Sequence, residues 1–384
     1  MNRLSPHVAL LCTLVWLASC ASTPAVPPTP LEPIEAPSVL FETVWQTSLP
    51  GKARFDGASY VPALADGIVY ASSASGTIKT LSFNEGKTLW ETEIDRPLSS
   101  GISVDTQSLY VTARDGSVLA LDREFGKLRW EATLDREMLH APLVEAGQVL
   151  VGTTSGELYA LDTVDGAPLW QFRYQAPNLT VRGAGYTVHV PGGYFAALDD
   201  GRLVALEERS GNLIWERYIS TPRGRTAVQR IVDVDSPPVV IGETVVVGSR
   251  RGDVTSVDGR TGEQRWTRVF ESVAGLTGDE EAVVVVERDS TVIGLDADTG
   301  EQLWTTDALR GRLLSDPIMH RGAVVLGDLD GYVHALSPRT GALVGRSRVS
   351  DDAVQAQLIS AGPDVLVQSR NGDLARLAVV GGAR

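Results

Sequence analysis

HAPLVEAG (140–147), QVLVGTTSG (148–156), ELYALDTVDG (157–166) and APLWQFRY (167–174) are four consecutive pieces of a single unit. Each is a short apolar or alternating run rich in Val, Leu, Tyr and Thr, and each is punctuated by Gly, Asp or Ser. That combination marks strands separated by tight turns. Four strands of five to seven residues fill the length and leave no room for a helix. In the loop Leu161-Asp-Thr-Val-Asp-Gly166 the Asp can accept from the backbone two residues on, and the Gly supplies positive φ.

The unit returns eight times as G-x-[hydrophobic]-x-x-[LV], anchored by Gly76/Leu81, Gly116/Leu121, Gly156/Leu161, Gly201/Leu206, Gly252/Val257, Ser290/Leu295, Gly331/Leu336 and Gly372/Leu377. Trp90, Trp130, Trp170, Trp215, Trp266 and Trp304 close the first six copies at spacings of 40, 40, 45, 51 and 38 residues. This is the period of a four-stranded propeller blade, with the Trp large enough to fill the wedge between blades. Pro62, Pro142, Pro238 and Pro317 each stand 14 residues before their repeat Gly, where a Pro entering an inner strand sacrifices no ladder bond.

The seventh copy has Gly345 in place of Trp, and the eighth stops at Arg384 before a fourth strand. An unused Trp lies in Thr43-Val44-Trp45-Gln46-Thr47. The expectation is an all-β, eight-bladed propeller of four-stranded antiparallel blades. Its ring is closed by the N-terminal strand, which removes a free edge.

Residues 1–19 read as a signal peptide, with Arg3 ahead of the apolar run Val8 to Trp16. Leu17-Ala18-Ser19-Cys20 resembles the bacterial lipoprotein signal, which implies that Cys20 becomes the acylated first residue. By the rule of that class, Ala21, not being Asp, permits sorting to the outer membrane. Several acyl chains on one Cys anchor stably where one chain would not. Residues 20–40 carry six Pro and little to bury, which reads as a semi-rigid tether, and residues 41–384 form the propeller. With Arg3 removed the net charge goes from −14 to −15, which argues against nucleic acid as a partner. Cys12 and Cys20 are the only cysteines, so the mature domain has no disulfide and relies on its core.

The blades resemble the quinoprotein propeller repeat, whose founders are dehydrogenases with a calcium site and usually a vicinal disulfide beside the quinone. The mature part lacks a Cys pair and the long inter-strand insertions that roof a cofactor, so no cofactor is expected. His140, His189, His320 and His334 show no metal-ligand spacing, and most of them read as surface or interblade residues. Asp296-Ala-Asp-Thr-Gly300 looks like a calcium loop, but its Gly is one place early and a hairpin turn explains it. No Ser/His/Asp set or phosphate-cradling loop is present. A non-enzyme is expected.

Function is then sought where the repeat breaks. From Trp170 to Gly201 there are 31 positions against 26 from Trp130 to Gly156, and from Trp215 to Pro238 there are 23 against 12 from Trp130 to Pro142. Both excesses fall in consecutive handovers from one blade's outer strand to the next blade's inner strand, side by side on one rim. Long loops on a rigid scaffold are where binding concentrates. The first holds Leu179-Thr-Val181-Arg182-Gly183 and the second Asp233-Val-Asp235. A lipobox, a Pro-rich tether, eight such blades and these two motifs resemble the propeller lipoproteins of the bacterial outer-membrane β-barrel assembly machinery.

Membership would imply a non-catalytic scaffold on the periplasmic face, assisting unfolded outer-membrane proteins toward insertion. It would also imply that Leu179, Val181, Arg182, Asp233 and Asp235 contact the periplasmic domains of the central barrel-inserting subunit. The alternatives from other classes are a periplasmic quinoprotein oxidoreductase and a generic ligand-binding propeller.

Overall fold

The computed structural model describes residues 26–53, 59–134, 136–176, 185–221, 232, 234 and 236–382. Eight four-stranded antiparallel sheets account for all its strands. Blades 1 to 7 run in chain order, blade 1 beginning at Ala63 and blade 7 ending at Arg348. Blade 8 combines Ile359–Ala361, Asp364–Gln368 and Asp373–Gly381 with the N-terminal strand Val39–Ser48. The expected ring and its closure by three strands plus one are both present.

The closing strand copies an ordinary outer strand in detail. In blade 2 the register slips between Ala120 and Leu121, so that Arg129, just before Trp130, is left over. In blade 8 the same slip leaves Val44 over, just before Trp45. Leu49 then donates to the Gly372 carbonyl (2.8 Å), as Ile94 does to Gly76 and Phe270 to Gly252 (2.9 Å each). These repeated bonds put the handovers and the second-to-third-strand turns on one face of the ring, the handover face. The third-to-outer-strand hairpins lie on the other.

The tryptophans lock blade to blade. The indole N–H of Trp130, Trp170, Trp215, Trp266 and Trp304 donates across the wedge to Thr163, Glu208, Gly259, Ala297 and Pro338 respectively, at 2.7–3.1 Å. Trp45 does the same to Phe83 of blade 1 (2.7 Å). The ring beneath needs a bare backbone: at Gly211, with φ 65°, a Cβ would stand 2.3 Å from the Trp170 ring. Each Trp therefore requires a Gly-bearing hairpin in the next blade. Blade 8 has no such hairpin, because its outer strand comes from the far end of the chain. Blade 7 accordingly has no Trp, and a Cβ at Gly345 would meet the Val39 carbonyl at 2.3 Å.

One expectation needs correction. Seven of the eight innermost strands are shorter than five residues, from two (Ser103–Val104) to four (Gly275–Gly278), and the one in blade 4, Tyr186–Val190, has five. They are the inner edge strands of the eight sheets, and short edges resist stray pairing. Pro62, Pro142, Pro238 and Pro317 each immediately precede one of these strands, as their offset predicts.

The histidines divide. His320 reaches from blade 7 to Ser360 of blade 8 (2.8 Å), while His189 pairs with Glu208 within blade 4 (2.9 Å). His334 is neither surface nor interblade: it is fully buried against Asp328 of its own blade (2.9 Å). Burial holds both His320 and His334 below the ordinary imidazole range, with neighbouring Arg312 and Arg346 adding to the effect at His334. The unfolded chain takes up protons at these rings as pH falls through about 6.5, and the folded chain resists doing so. Their contribution is therefore complete above that pH and lost on acidification. The melting temperature should be lower at pH 5.5 than at 7.5, and His334→Gln should shrink the difference. An equal drop in the variant would assign the acid sensitivity to other groups.

Candidate partner-binding face

Two outlier handovers leave blade 3 at Arg173 and blade 4 at Tyr218, and enter blades 4 and 5 at Tyr186 and Val239. Both lie on the handover face, flanking blade 4. Leu179, Val181, Arg182, Asp233 and Asp235 lie outside the described residues, as does Cys20. The roots of the two loops are described, and they converge on one turn of blade 4, Leu198-Asp199-Asp200-Gly201.

Asp199, only 3% exposed, staples the first loop at both ends. It accepts from the Tyr174 hydroxyl at 3.2 Å on the incoming side and from the Gly185 N–H at 3.4 Å on the outgoing side. Burial, with the Asp199 charge added, raises the Tyr174 phenol well above its usual value, so it remains a donor. Tyr174 N also donates to Gly156 of its own blade at 2.9 Å. Next to the staple, Arg202 forks onto Asp200 (2.7 Å) and Glu216 (2.5 Å) and stiffens the same turn. The Asp200 bond comes first among the causes that raise the Arg202 guanidinium further.

The second loop hangs from the other side of that turn. Ile219 N and Ser220 N both donate to the Gly201 carbonyl (2.8 and 3.2 Å), and Ser220 Oγ donates to Asp253 of blade 5 (2.5 Å). Farther along, Val232 and Val234 are buried, at 0% and 1% exposed. Val234 joins Phe195, Ala197, Leu203, Val245 and Val247 in the core between blades 4 and 5. The two loops are thus rooted on one rigid support instead of being independent excursions, which fits the requirement that binding loops be positioned by their scaffold.

The staple was missed in the sequence, although a signal was there. Four residues after the Trp, the other copies place Ile94, Leu134, Ile219, Phe270 and Ala308, and only Tyr174 brings a hydroxyl. Asp199→Ala should cost about 1–3 kcal/mol, because it leaves the buried Tyr174 hydroxyl without this acceptor. It should also speed protease cutting between positions 177 and 184. Unchanged cutting in that window would mean that Asp199 does not hold the loop.

The remaining polar features are structural. The Asp296 carboxylate accepts from both the backbone N and the hydroxyl of Thr299 (2.8 Å each), which closes a hairpin. Among the described residues no cluster of three or more His, Cys, Asp or Glu is placed to hold a metal ion.

Comparison with known proteins agrees with the propeller fold. A family model described as outer membrane protein assembly factor BamB matches residues 74–306 and 242–383. The outer membrane protein assembly factor BamB of Pseudomonas aeruginosa is 39% identical over 371 residues, covering 96% of this chain and 97% of that protein. The crystal structure of BamB from Moraxella catarrhalis superposes with a TM-score of 0.79 at 26% identity, covering 88% of this chain and 99% of that one. A quinohemoprotein alcohol dehydrogenase from Comamonas testosteroni also superposes, with a TM-score of 0.70 over 90% of this chain and 77% of that one. At 14% identity it shares the propeller and carries no argument about activity. The chain belongs to the BamB family of outer membrane protein assembly factors.

Proposed function

We propose that the protein is a non-catalytic scaffold, lipid-anchored through Cys20 at the periplasmic face of the bacterial outer membrane. Its handover face binds the periplasmic domains of the central barrel-inserting subunit, with Leu179, Val181 and Arg182 on one loop and Asp233 and Asp235 on the next. Holding that subunit in place assists the insertion of unfolded outer-membrane proteins. The observation that carries this reading is the shared rooting of two consecutive overlong interblade handovers on the blade 4 turn. Aliphatic, arginine and carboxylate groups on two consecutive handovers are the make-up of a protein contact.

Co-purification from solubilised envelopes tests the partner: the barrel subunit should be recovered with the tagged protein in stoichiometric amount. Recovery of other envelope proteins without it would overturn the assignment. Absence of catalysis is tested by incubation with pyrroloquinoline quinone and calcium followed by gel filtration. A quinone absorbance that stays with the protein would replace the scaffold reading with a redox one.

The anchor makes a separate expectation. Cys20→Ser should move the protein from the outer-membrane fraction to the soluble periplasm with its β-rich circular dichroism unchanged. If the variant still sediments with outer-membrane vesicles in high salt, the lipid anchor is not what holds it there.

A further inference from the structure

The Pro-rich segment that composition reads as a spacer does not stand free where it is described. Thr29 N donates to the Arg310 carbonyl at 2.8 Å, and the Arg312 guanidinium returns a bond to the Thr29 carbonyl at 3.1 Å. Leu31 packs against the core between blades 6 and 7, and Arg346 on the outer strand of blade 7 donates to the Glu32 carbonyl at 2.9 Å. At Gly311 the approach is so close that a Cβ would stand 2.6 Å from the Pro27 carbonyl. The chain thus enters on the handover face at the blade 6–7 junction. It crosses blade 7 and reaches the opposite face, where Val39 starts the closing strand beside Gly345.

The receiving site is built, not incidental. Arg312 is 3% exposed and is aimed by two carboxylates, Asp328 (2.7 Å) and Asp330 (2.6 Å). Asp328 occupies the turn position that Ser73, Thr153, Ser249 and Ser369 hold in other blades, so blade 7 has exchanged a hydroxyl for a charge. A buried Arg is costly unless its donors are used. Here two of its nitrogens are held by carboxylates and the third is turned outward onto the segment's backbone.

We propose that residues 26–32 are a strap that fixes where the N-terminal end leaves the ring, and that the strap leashes the handover face beside blades 6 and 7 to the lipid surface. The leash rests on the lipid-anchor reading of Cys20; the strap does not. Six residues separate Cys20 from Val26, a maximum reach of roughly 20 Å, whereas nineteen residues to Val39 would allow roughly 65 Å. With the strap in place the anchor restricts orientation as well as location. The roots of the proposed partner-binding loops lie on the same face as the exit point, two and three blade steps around the ring.

The strap can be measured without the membrane, in the chain 21–384, which contains every described element and no cysteine. Spin labels at Val26→Cys and Asp351→Cys, both exposed, should give one narrow distance by double electron–electron resonance. Leu31→Asp should broaden it and Leu31→Met should keep it narrow, with melting curves showing the ring folded in each. A broad distribution in the parent, or a narrow one in Leu31→Asp, overturns the strap.

The leash is measured on the acylated chain in phospholipid vesicles carrying a headgroup quencher. Fluorescence from a label at position 351, on the handover face, should be quenched more than from one at Val164→Cys in a blade 3 hairpin on the far face. Leu31→Asp should abolish the difference. Equal quenching in the parent overturns the leash while the solution distances stand. Failure to bind vesicles at all overturns the lipid-anchor reading instead.

Discussion

Deleting residues 41 to 48 should unfold the ring as a whole and not merely fray one blade. The deletion removes most of the outer strand of blade 8 and with it Trp45, which is 8% exposed and whose indole N–H is bonded to the Phe83 carbonyl of blade 1. Truncating a buried Trp alone costs about 3–5 kcal/mol. The strand also carries half of a nine-pair ladder with Asp373–Gly381 and the only covalent route by which blade 8 is joined to blade 1. Since a whole domain is stable by only about 5–15 kcal/mol, the loss is comparable to the total. Trp45→Ala is the graded version and should lower stability by about 3–5 kcal/mol with folding retained. Denaturant melts followed by circular dichroism check both. An unchanged curve for the deletion would mean that blade 8 closes in some other way.

That dependence on one strand was visible in the sequence because the repeat is a matter of register. Gly, Leu and Trp recur at fixed offsets, so a copy that lacks its Trp and a Trp that lacks its copy are both conspicuous. What register could not supply was the reason for Gly345, which lies in the absence of a blade 8 hairpin for a seventh Trp to sit on. Nor could it supply the docking of the Pro-rich segment. Composition reports what side chains can bury, and Thr29 and Glu32 are held through their carbonyls, which every residue has.

The candidate site was legible to the same degree. Loop length located both handovers, because an insertion is counted directly. The staple between Tyr174 and Asp199 joins positions 25 apart whose neighbours look like ordinary turn and strand residues. Only comparison of Tyr174 with the aliphatic and aromatic residues at the same repeat position singles it out.

Arg182→Glu, or Asp233 and Asp235 both to Ala, should abolish co-purification with the barrel-inserting subunit while leaving the fold intact. Truncating one member of a desolvated, hydrogen-bonded charge pair costs about 2–5 kcal/mol, much of it because the other charge is left buried and unpaired. At 1.4 kcal/mol per decade that is a loss of roughly thirty-fold to several thousand-fold in affinity, enough to lose a complex during washing. Charge reversal at Arg182 adds repulsion against a carboxylate that would otherwise be its partner. Asp122→Ala is the control. Its carboxylate caps a blade 2 hairpin through the N–H groups of Glu124 and Phe125 on the opposite face, so its loss should leave binding unchanged. Asp199→Ala supplies the intermediate case, because it touches no partner yet unfastens the root of the first loop. If pre-organisation matters, affinity should fall in that variant through the ordering cost and not through a lost contact. Should the two loop variants bind as well as Asp122→Ala, the flank of blade 4 is not the docking surface and another sector of the ring carries the partner.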